Sequence, residues 1–541
     1  MSRKDKFYNY SSYRLCVSFT IIVLSFIVLS SCVPKVDFSS VGISPHIVGS
    51  CEKTKTILDN NSHALQQYQQ ENDTFNDGHR PYWGLALSGG GVRSASFSIG
   101  VMKALYDIKI LDKIDVISSV SGGSYASLWY FAQHYAALSN EKLNSDRVNS
   151  VIFADQNFQY YICCLQNYAN MFPNKIIAIA LLRLSKDWAF EKYKSSIQRT
   201  FHKDYKYTKE VSDFCLYELK DFIVKKNLPY FIINATIRSN SEKMLNTVFE
   251  FTPINLGSNG LGFYNFCGGD YQDLEKIKLS EATTISGAAV RLYLEREIKN
   301  YSPKIKDKKL YLSDGGFSDN LGLFSLIKRG CKNIIVVDAE HDPNYKFESY
   351  SKLKKALKDE LNVKLYIEEI ETEMGQRRKR LSQALFRGYI KSFPFYDKKG
   401  NPYLEDLNIY YIKMSLPKGI INYKPNLKSC ATGYYKCRMD YLRKLAKVAN
   451  AKKKGTDSCE YVCEQAKIIK KCGELLVPKE YYYMAAVNEY SDFLNERSFW
   501  RLFGYTFPQT TTFDQSYYRD QIEAFIGLGY LITSDFRSLI K

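Results

Sequence analysis

The chain has 541 residues, of which 45% are hydrophobic and 24% are charged. These values are typical of globular proteins and exclude a disordered or collagen-like chain. The length predicts two to four domain equivalents, or one enzyme core with insertions. A mean hydropathy of −0.31 excludes a polytopic membrane protein.

The chain is basic, with 75 Lys and Arg against 57 Asp and Glu, a formal net charge of +18. A basic surface favours polyanions, either nucleic acid or anionic lipid headgroups. No nucleic-acid-binding motif is present, so we predict no nucleic-acid partner and prefer a phospholipid membrane. The alternative is that the lysines only solvate the surface.

The N-terminal segment has the pattern of an export signal. Residues 1–14 are basic and polar, and an apolar run from Leu15 to Leu29 follows. That run is shorter than the roughly 17 to 25 residues of a spanning helix, but it suits the hydrophobic region of a signal peptide. It ends in Leu29-Ser30-Ser31-Cys32, which resembles the bacterial lipobox. An uncleaved anchor and a plain secretory signal are the alternatives.

The lipobox interpretation predicts a signal peptide over residues 1–31 and lipidation, with palmitate among the acyl groups, at Cys32. The mature chain would then be an exported bacterial lipoprotein anchored in a membrane. Val33 follows the cysteine, where a lipoprotein retained on the inner membrane typically has Asp. The outer membrane is therefore the favoured location.

Residues 32–80 are polar and predict a tether with a short helix near 57–72. A dense α/β pattern then begins, with alternating strands and helices that predict a mostly parallel sheet covered on both faces. The predicted elements are a strand over 82–87, a glycine turn over 88–91, a helix over 94–108, a strand over 114–120 and a helix from 121 onward.

The later chain alternates core segments with insertions. We predict a catalytic core over 81–345 that contains a helical insertion over 140–228. The most apolar part of this insertion, 176–184, is either a buried helix or the lining of an acyl-chain groove. Further core strands are predicted at 228–235, 309–312 and 333–338. The remaining segments are a charged helical insertion over 346–404, a core strand over 405–416, a basic Cys-rich insertion over 417–478 and the C-terminal part of the core over 479–541.

Two charged or reactive clusters lie in the predicted insertions. Arg377-Arg378-Lys379-Arg380 is either an anionic-lipid contact or a solvated helix face. Of the 13 cysteines, five crowd into the Cys-rich insertion: Cys430, Cys437, Cys459, Cys463 and Cys472. Export favours disulfides among them, with free thiols or a zinc site as alternatives. We predict no metal site and no cofactor.

A glycine-rich turn joins the first core strand to the first core helix. Gly89-Gly90-Gly91-Val92-Arg93 lets backbone N–H groups approach a ligand closely, at a helix start that favours an anion. The turn has no Gly-Lys-Ser/Thr and is therefore not a Walker A loop. Ser94 occupies the position of the last glycine of a dinucleotide fingerprint, so that motif is also excluded.

A serine lies between the second strand and the second helix, in Ser119-Val120-Ser121-Gly122-Gly123. This stretch resembles the G-x-S-x-G nucleophile elbow, in which small residues flank a strained serine. Ser119 replaces the first glycine, which is a departure from the pattern. Ser121 is the favoured nucleophile over Ser124, which is expected one turn into the helix.

An aspartate follows the strand at 309–312, in Asp314-Gly315-Gly316-Phe317. A carboxylate followed by two glycines suits a base on a tight loop at the end of a strand. Asp319 and Asp338 are alternative carboxylates, and a plain Asp-Gly turn is the structural alternative.

Together, these three ordered motifs resemble the patatin-like phospholipase family. The surrounding segments LALSGGGVRSASFSIGVMKAL, VISSVSGGSYASLWY and YLSDGGFSDNLGL are similar to family segments, as is FPQTTTFDQSYYRDQIEAFIGLGY. The small-residue run at 284–289 also has its counterpart before the catalytic aspartate of the family. The resemblance covers roughly 81–345, 405–416 and 480–532.

The resemblance implies a three-layer α/β/α fold and a Ser–Asp dyad without histidine. Ser121 would be the nucleophile and Asp314 the base. Gly89, Gly90 and Gly91, helped by Gly122, would form the oxyanion hole. The resemblance also implies that membrane phospholipids or other glycerolipids are the substrate, hydrolysed at their fatty-acyl esters.

Three points beyond the dyad stay open at this level. Arg93 matches the family arginine beside the glycine loop, and we predict that it contacts an anionic headgroup. His341 follows Asp314, so the order Ser, Asp, His also permits an α/β-hydrolase triad. A lipid- or partner-binding pseudoenzyme on the same fold is the non-catalytic alternative.

Overall fold

The structure is a computed structural model. It describes residues 47–48, 68–138, 149–163, 168–170, 186–201, 213–266, 272–289, 294–374, 381–396, 402–416, 487, 507–510 and 515–540.

The described strands include the six that the sequence predicted, at 82–87, 114–120, 228–235, 309–312, 333–338 and 405–416, and nine others. In chain order they are β1 (Ile47–Val48), β2 (Trp83–Leu87), β3 (Val116–Val120), β4 (Tyr168–Asn170), β5 (Tyr230–Ile237), β6 (Val248–Phe251), β7 (Asn255–Ser258), β8 (Gly262–Asn265), β9 (Arg296–Lys299), β10 (Lys309–Asp314), β11 (Asn333–Asp338), β12 (Leu365–Tyr366), β13 (Leu385–Tyr396), β14 (Pro402–Lys413) and β15 (Ser516–Tyr518).

Helices connect and flank these strands. The described α-helices are α1 (Gln69–Phe75), α2 (Gly91–Asp107), α3 (Gly122–Leu138), α4 (Ser150–Phe153), α5 (Asp155–Cys163), α6 (Lys186–Thr200), α7 (Leu219–Lys226), α8 (Met244–Thr247), α9 (Gln272–Glu275), α10 (Leu279–Ser286), α11 (Phe324–Lys328), α12 (Glu348–Leu361), α13 (Glu368–Met374), α14 (Arg519–Ser534) and α15 (Arg537–Ile540).

Thirteen of the described strands form one mixed sheet. Its main path runs β1-β8-β7-β6-β5-β3-β2-β11-β14-β13-β12, and β10 with β9 branches off β5. The five central strands β5, β3, β2, β11 and β14 are parallel, and the outer strands pair mostly antiparallel. Strands β2, β3, β5 and β11 are buried along their whole length. A mixed sheet with parallel central strands flanked by helices confirms the predicted α/β fold class.

Two glycines allow the first core helix and the last long helix to cross closely. A Cβ atom added to Gly100 of α2 would lie 1.9 Å from the carbonyl oxygen of Ile526 in α14. A Cβ atom added to Gly529 of α14 would lie 2.2 Å from the carbonyl oxygen of Phe97. The backbones of α2 and α14 are therefore in contact, which ties the C-terminal helix to the helix that follows the glycine turn.

A buried ion cluster fastens α1 to the sheet. Arg329 pairs with Glu71 of α1 at 2.6 Å and with Glu250 of β6 at 2.8 Å, and Lys328 pairs with Glu250 at 2.7 Å. The ring of Tyr68 lies 4.0 Å from the Arg329 guanidinium carbon. Because Glu71 is 1% exposed, residues 68–75 are docked rather than part of the predicted tether. Composition could not reveal this contact, since the partners of Glu71 lie far away in sequence.

One predicted insertion has a different structure from the one expected. Helices α12 and α13 occupy part of the stretch 346–404, but 385–396 is the strand β13. It pairs antiparallel with β14 and extends the sheet. The prediction of a helical segment was wrong there. It followed the charged composition of the whole stretch, whereas the strand LFRGYIKSFPFY has only Arg387 and Lys391 as charged residues.

Several predicted features lie outside the described residues. They are the signal peptide and Cys32, the apolar stretch 176–184, the basic run 377–380 and the five clustered cysteines at 430–472. Within the described ranges, Cys215 and Cys331 are free thiols. No helix in the described part of the chain is both long and apolar enough to span a membrane.

Candidate active site

Ser121 lies at the sharp turn between β3 and α3. The strand ends at Val120 and the helix begins at Gly122, which leaves one residue to reverse the chain direction. Ser121 has φ +49°, in the left-handed region that a residue with a Cβ atom rarely adopts. Its hydroxyl thus stands at the carboxyl end of a central parallel strand and at the N-terminus of a 17-residue helix. This is the geometry of a nucleophile elbow.

The sheet register explains why Asp314 meets Ser121. On one side of β5, Asn234 pairs with Val120 at the end of β3. The next residue, Ala235, pairs with Asp314 at the end of β10. Strand β10 runs antiparallel to β5, so its last residue meets the end of β3 head to head. Two motifs that are 193 positions apart in sequence are thereby brought together.

The two side chains are joined by a hydrogen bond. The Ser121 hydroxyl donates to Oδ2 of Asp314 at 2.8 Å, and Oδ1 of Asp314 accepts from the backbone N–H of Gly316 at 2.7 Å. Ser121 is 7% exposed and Asp314 is 6% exposed. The carboxylate therefore holds the hydroxyl in one orientation within a largely buried site.

Ser286, at the end of α10, supports the strained turn. Its hydroxyl accepts from the backbone N–H of Ser121 at 2.8 Å and donates to the carbonyl oxygen of Asn234 at 2.6 Å. Ser124 lies 3.0 Å away from the same hydroxyl. The sequence signalled this residue only as part of the small-residue run at 284–289, without indicating its role.

The glycine turn lies against the nucleophile. Gly90 has φ +140° and Gly91 has φ +63°, and α2 begins at Gly91. A Cβ atom added to Gly122 would lie 2.1 Å from the carbonyl oxygen and 2.5 Å from the nitrogen of Gly91. The N-termini of α2 and α3 therefore meet beside Ser121. The space next to Gly89 is filled by Asn320, whose Oδ1 would lie 2.3 Å from an added Cβ atom.

The C-terminal segment closes around the same turn. The Gln515 side chain accepts from the backbone N–H of Val92 at 2.9 Å, and a Cβ atom added to Gly91 would lie 2.1 Å from its Oε1. Gln509 accepts from the backbone N–H of Asp342 at 2.7 Å. Gln515 belongs to the C-terminal stretch that resembles the family, but its hydrogen bond to the start of α2 was not predicted.

Arg93 does not fit its predicted role. It is fully buried, and its guanidinium donates to the carbonyl oxygens of Ala339 and Thr510. Burial lowers the pKa of Arg93 from its ordinary value. With these donors used by backbone carbonyls, the side chain is not presented to an anionic headgroup. Its contacts instead fix the glycine turn against β11 and residues 507–510.

The rival residues are engaged elsewhere. Asp319 accepts from the backbone N–H groups of Leu321 and Phe324. Asp338 accepts from Lys413 at 2.7 Å and from Tyr411 at 2.6 Å.

His341 is exposed on the loop after β11, and burial of part of its ring lowers its pKa. The Ser121 hydroxyl bonds directly to Asp314, which is the position that a triad histidine would take. In this structure the Ser121 hydroxyl therefore donates to a carboxylate and not to His341.

The fold and the site together define an α/β protein with a serine on a strand–helix elbow and an aspartate at its hydroxyl. Residues 85–327 match the model of the patatin-like phospholipase family. The chain thus contains a patatin-like phospholipase domain. A comparison with curated proteins gave no significant match.

Among solved structures, the chain is similar to human GIVD cytosolic phospholipase A2. The identity is 12% and the TM-score 0.47, covering 88% of this chain and 61% of that one. The present chain therefore spans about three-fifths of the length of the human protein.

The chain is also similar to VipD from Legionella pneumophila. The identity is 11% and the TM-score 0.24, and the match covers 84% of this chain and 92% of VipD. ExoU from Pseudomonas aeruginosa, in complex with SpcU, matches with 12% identity and a TM-score of 0.20. The match covers 83% of this chain and 77% of that one.

Proposed function

We propose that the protein is a serine hydrolase that cleaves fatty-acyl esters of phospholipids and other glycerolipids through a Ser121–Asp314 dyad. The observation that carries the proposal is the 2.8 Å hydrogen bond from the hydroxyl at the elbow to the carboxylate. The match of 85–327 to the patatin-like phospholipase family supports the lipid substrate.

The reaction begins when Ser121 attacks the ester carbonyl and its proton passes to Asp314. The carbonyl oxygen gains negative charge in the tetrahedral intermediate. Backbone N–H groups of Gly90, Gly91 and Gly122 stabilise this charge, with Gly89 completing the turn. The two helix N-termini that meet here add partial positive charge.

Collapse of the intermediate releases the lysolipid alcohol, which takes the proton from Asp314, and leaves an acyl-Ser121 ester. Asp314 then accepts a proton from water, which attacks the acyl-enzyme. The fatty acid leaves and Ser121 regains its proton. Each donor of an oxyanion hole is typically worth about 2.7–4 kcal/mol of the barrier.

The experiment measures fatty-acid release from mixed zwitterionic and anionic phospholipid vesicles by the wild-type chain, Ser121→Ala and Asp314→Asn. Matched controls are Ser124→Ala, one turn beyond the nucleophile, and His341→Ala. We expect release to be lost in the two dyad variants and kept in both controls. Loss with His341→Ala would favour the triad. A folded wild-type chain that releases nothing and is not labelled by a fluorophosphonate would favour the pseudoenzyme.

We further propose that the protein is an exported lipoprotein, anchored through lipidated Cys32 and favoured in the outer membrane. The support is the signal pattern over 1–31 and the lipobox-like Leu29-Ser30-Ser31-Cys32. Each buried acyl methylene contributes about 0.8 kcal/mol to membrane binding. Incorporation of labelled palmitate and membrane fractionation of bacterial cells test this: both signals are expected from the wild-type chain and lost in Cys32→Ser. Unchanged labelling in Cys32→Ser would overturn it.

A further inference from the structure

Two tyrosine hydroxyls lie next to the dyad and have no role in the mechanism above. Tyr125 is in the first turn of α3, four positions after Ser121. Tyr193 is on α6, inside the 140–228 segment that the family resemblance does not explain. The two hydroxyls are hydrogen-bonded to each other. Their rings meet edge to face with centroids 6.4 Å apart, and both side chains are buried.

The pair is anchored on the backbone beside the dyad. The Tyr193 hydroxyl donates to the carbonyl oxygen of Gly287 at 3.0 Å. The Tyr125 hydroxyl packs on Gly287 so closely that an added Cβ atom would lie 2.1 Å from it. Gly287 lies between Ser286, which accepts from the backbone N–H of Ser121, and Ala288, whose carbonyl oxygen accepts from the backbone N–H of Asp314 at 3.3 Å. The Tyr125 hydroxyl on Gly287 therefore lies beside the dyad, one helical turn after Ser121.

Helix α6 is held against the site by its neighbours. Arg296 pairs with Asp187 of α6 at 3.0 Å and with Glu281 of α10 at 3.2 Å. Its guanidinium also lies over the ring of Phe190, 5.2 Å from the centroid. Because α10 ends at Ser286, which bonds to the Ser121 backbone, α6 and the nucleophile are attached to the same helix. The position of Tyr193 is therefore set by fixed elements.

Both phenols remain neutral and so remain hydrogen-bond donors. Burial raises the pKa of Tyr125 well above its ordinary value, and the nearby Tyr193 and the Asp314 charge raise it further, against a hydrogen bond with Ser121 that lowers it. Burial likewise raises the pKa of Tyr193, with a smaller contribution from Asp314. Neither hydroxyl ionises at the neutral pH at which an ester hydrolase works.

The two phenols have two protons to share among three contacts: Gly287 with Tyr193, Tyr193 with Tyr125, and Tyr125 with Ser121. When Tyr193 donates to Gly287, Tyr125 donates to the Tyr193 oxygen. When Tyr193 turns to donate to Tyr125, the proton of Tyr125 becomes directed at the Ser121 oxygen. This second arrangement gives up the bond to Gly287. It is favoured only when the serine oxygen carries negative charge, because a charge-assisted hydrogen bond is stronger than a neutral one.

We propose that Tyr125 donates a hydrogen bond to the Ser121 oxygen while the serine proton passes to Asp314, and that Tyr193 of α6 is the positioning residue that makes this donation possible. The inference rests on the proposed dyad mechanism. The serine proton moves from Oγ to Oδ2 of Asp314, and both phenolic protons stay on their own oxygens. The same donation assists the Ser121 oxygen as it leaves the acyl-enzyme.

The test compares Tyr125→Phe, Tyr193→Phe and the double variant with the wild-type chain. The matched control is Tyr130→Phe, on the same helix and also buried, whose hydroxyl donates to Asn149 at 2.7 Å and not toward the dyad. The readouts are kcat and KM for a soluble chromogenic acyl ester, the rate at which a fluorophosphonate labels Ser121, and Tm. Each substitution removes one oxygen and preserves the ring, so folding is retained.

We expect Tyr125→Phe to lower kcat and the labelling rate roughly 10- to 100-fold with KM little changed. Tyr193→Phe is expected to show a smaller loss, and the double variant to match Tyr125→Phe because the two act in series. Tyr130→Phe is expected to stay within about twofold of the wild-type chain.

Wild-type rates in Tyr125→Phe would overturn the inference and leave the dyad mechanism standing. The inference would also be overturned if Tyr125→Phe and Tyr130→Phe lowered Tm to a similar extent and Tyr125→Phe lowered kcat and the labelling rate no more than Tyr130→Phe. Additive losses in the double variant would overturn the positioning role of Tyr193. A folded wild-type chain that neither turns over the ester nor reacts with the fluorophosphonate would overturn the proposed function, and this inference with it.

Discussion

The same kind of group, a buried carboxylate, has two different environments in this sheet. At the end of β10, Asp314 accepts from the Ser121 hydroxyl and from a glycine N–H. On β6, Glu250 accepts from Lys328 and Arg329. Burial alone would raise the pKa of Glu250, but the two cations outweigh it and lower the pKa to about 2.

In the proposed mechanism this difference separates a carboxylate that accepts a proton, Asp314, from one that stabilises the fold, Glu250. A carboxylate held by two cations stays ionised and cannot take up a proton near neutral pH. A carboxylate that accepts from a hydroxyl, here with the two oxygens 2.8 Å apart, has a proton available to take up. In the proposed mechanism Asp314 transfers the proton, whereas Glu250 contributes to stability. Substitution of Asp314 is therefore expected to reduce activity, and substitution of Glu250 to reduce stability.

The largest expected effect is on catalysis at the first site. Asp314→Asn keeps the size of the side chain but removes the base, so kcat for ester hydrolysis is expected to fall about 10⁴-fold. Little change in Tm should accompany it. Steady-state kinetics with a soluble ester and a thermal melt measure both. An Asn variant that retains more than a tenth of the activity would refute the assignment of the base.

At the second site, Glu250→Gln is expected to act on stability and not on chemistry. It leaves Lys328 and Arg329 buried with one carboxylate fewer, which typically costs about 3–5 kcal/mol. Urea unfolding measures the loss, and kcat per folded molecule should be unchanged. A variant that is as stable as the wild-type chain but inactive would reverse the comparison.

The pH dependence of stability sharpens the same contrast. The pKa of Glu250 is lowered in the folded chain from an ordinary 4.5 to about 2. Its contribution is therefore complete above pH 4.5 and is lost as the pH falls toward 2. Urea unfolding at a series of pH values should show this acid limb in the wild-type chain. The free energy of unfolding should fall less steeply at acid pH in Glu250→Gln. The same acid dependence in the variant and the wild-type chain would contradict the role given to Glu250.

The smallest expected effect concerns the crossing of α2 and α14. Gly529→Ala places a methyl group where the Phe97 carbonyl oxygen lies 2.2 Å away, and overpacking of this kind typically costs about 1–3 kcal/mol. A thermal melt of the variant beside the wild-type chain measures the cost. A Gly529→Ala chain as stable as the wild type would show that the helices can separate.

Local patterns predicted the strands and turns that carry the dyad. Ser121, Asp314 and the three glycines follow short apolar strands, and such strand ends are recognisable over a few residues. The meeting of Ser121 with Asp314 was implied by the family resemblance, whereas its structural cause, the register of β5, is a property of the whole sheet.

What sequence could not predict depends on contacts between distant segments. Tyr193 reaches the site from an insertion, with no motif to mark it. Gln515 reaches it from a C-terminal stretch that resembles the family, but the resemblance did not indicate its contact with the glycine turn. Arg93 was expected at a headgroup because it matches the family arginine beside the glycine loop. Its burial against two carbonyl oxygens becomes visible only once residues 507–510 are in place.

The bond between Val92 and Gln515 joins positions 423 apart in the chain. A ribosome that has completed β10 has already made both dyad residues, but it must add about 200 more before the partner of Val92 exists. At ~5–20 residues per second, this takes roughly 10 to 40 seconds. During that interval the nascent chain carries its serine and aspartate without the contact that shapes the glycine turn beside them. The order of synthesis thus delays completion of the site until the C-terminal stretch has emerged.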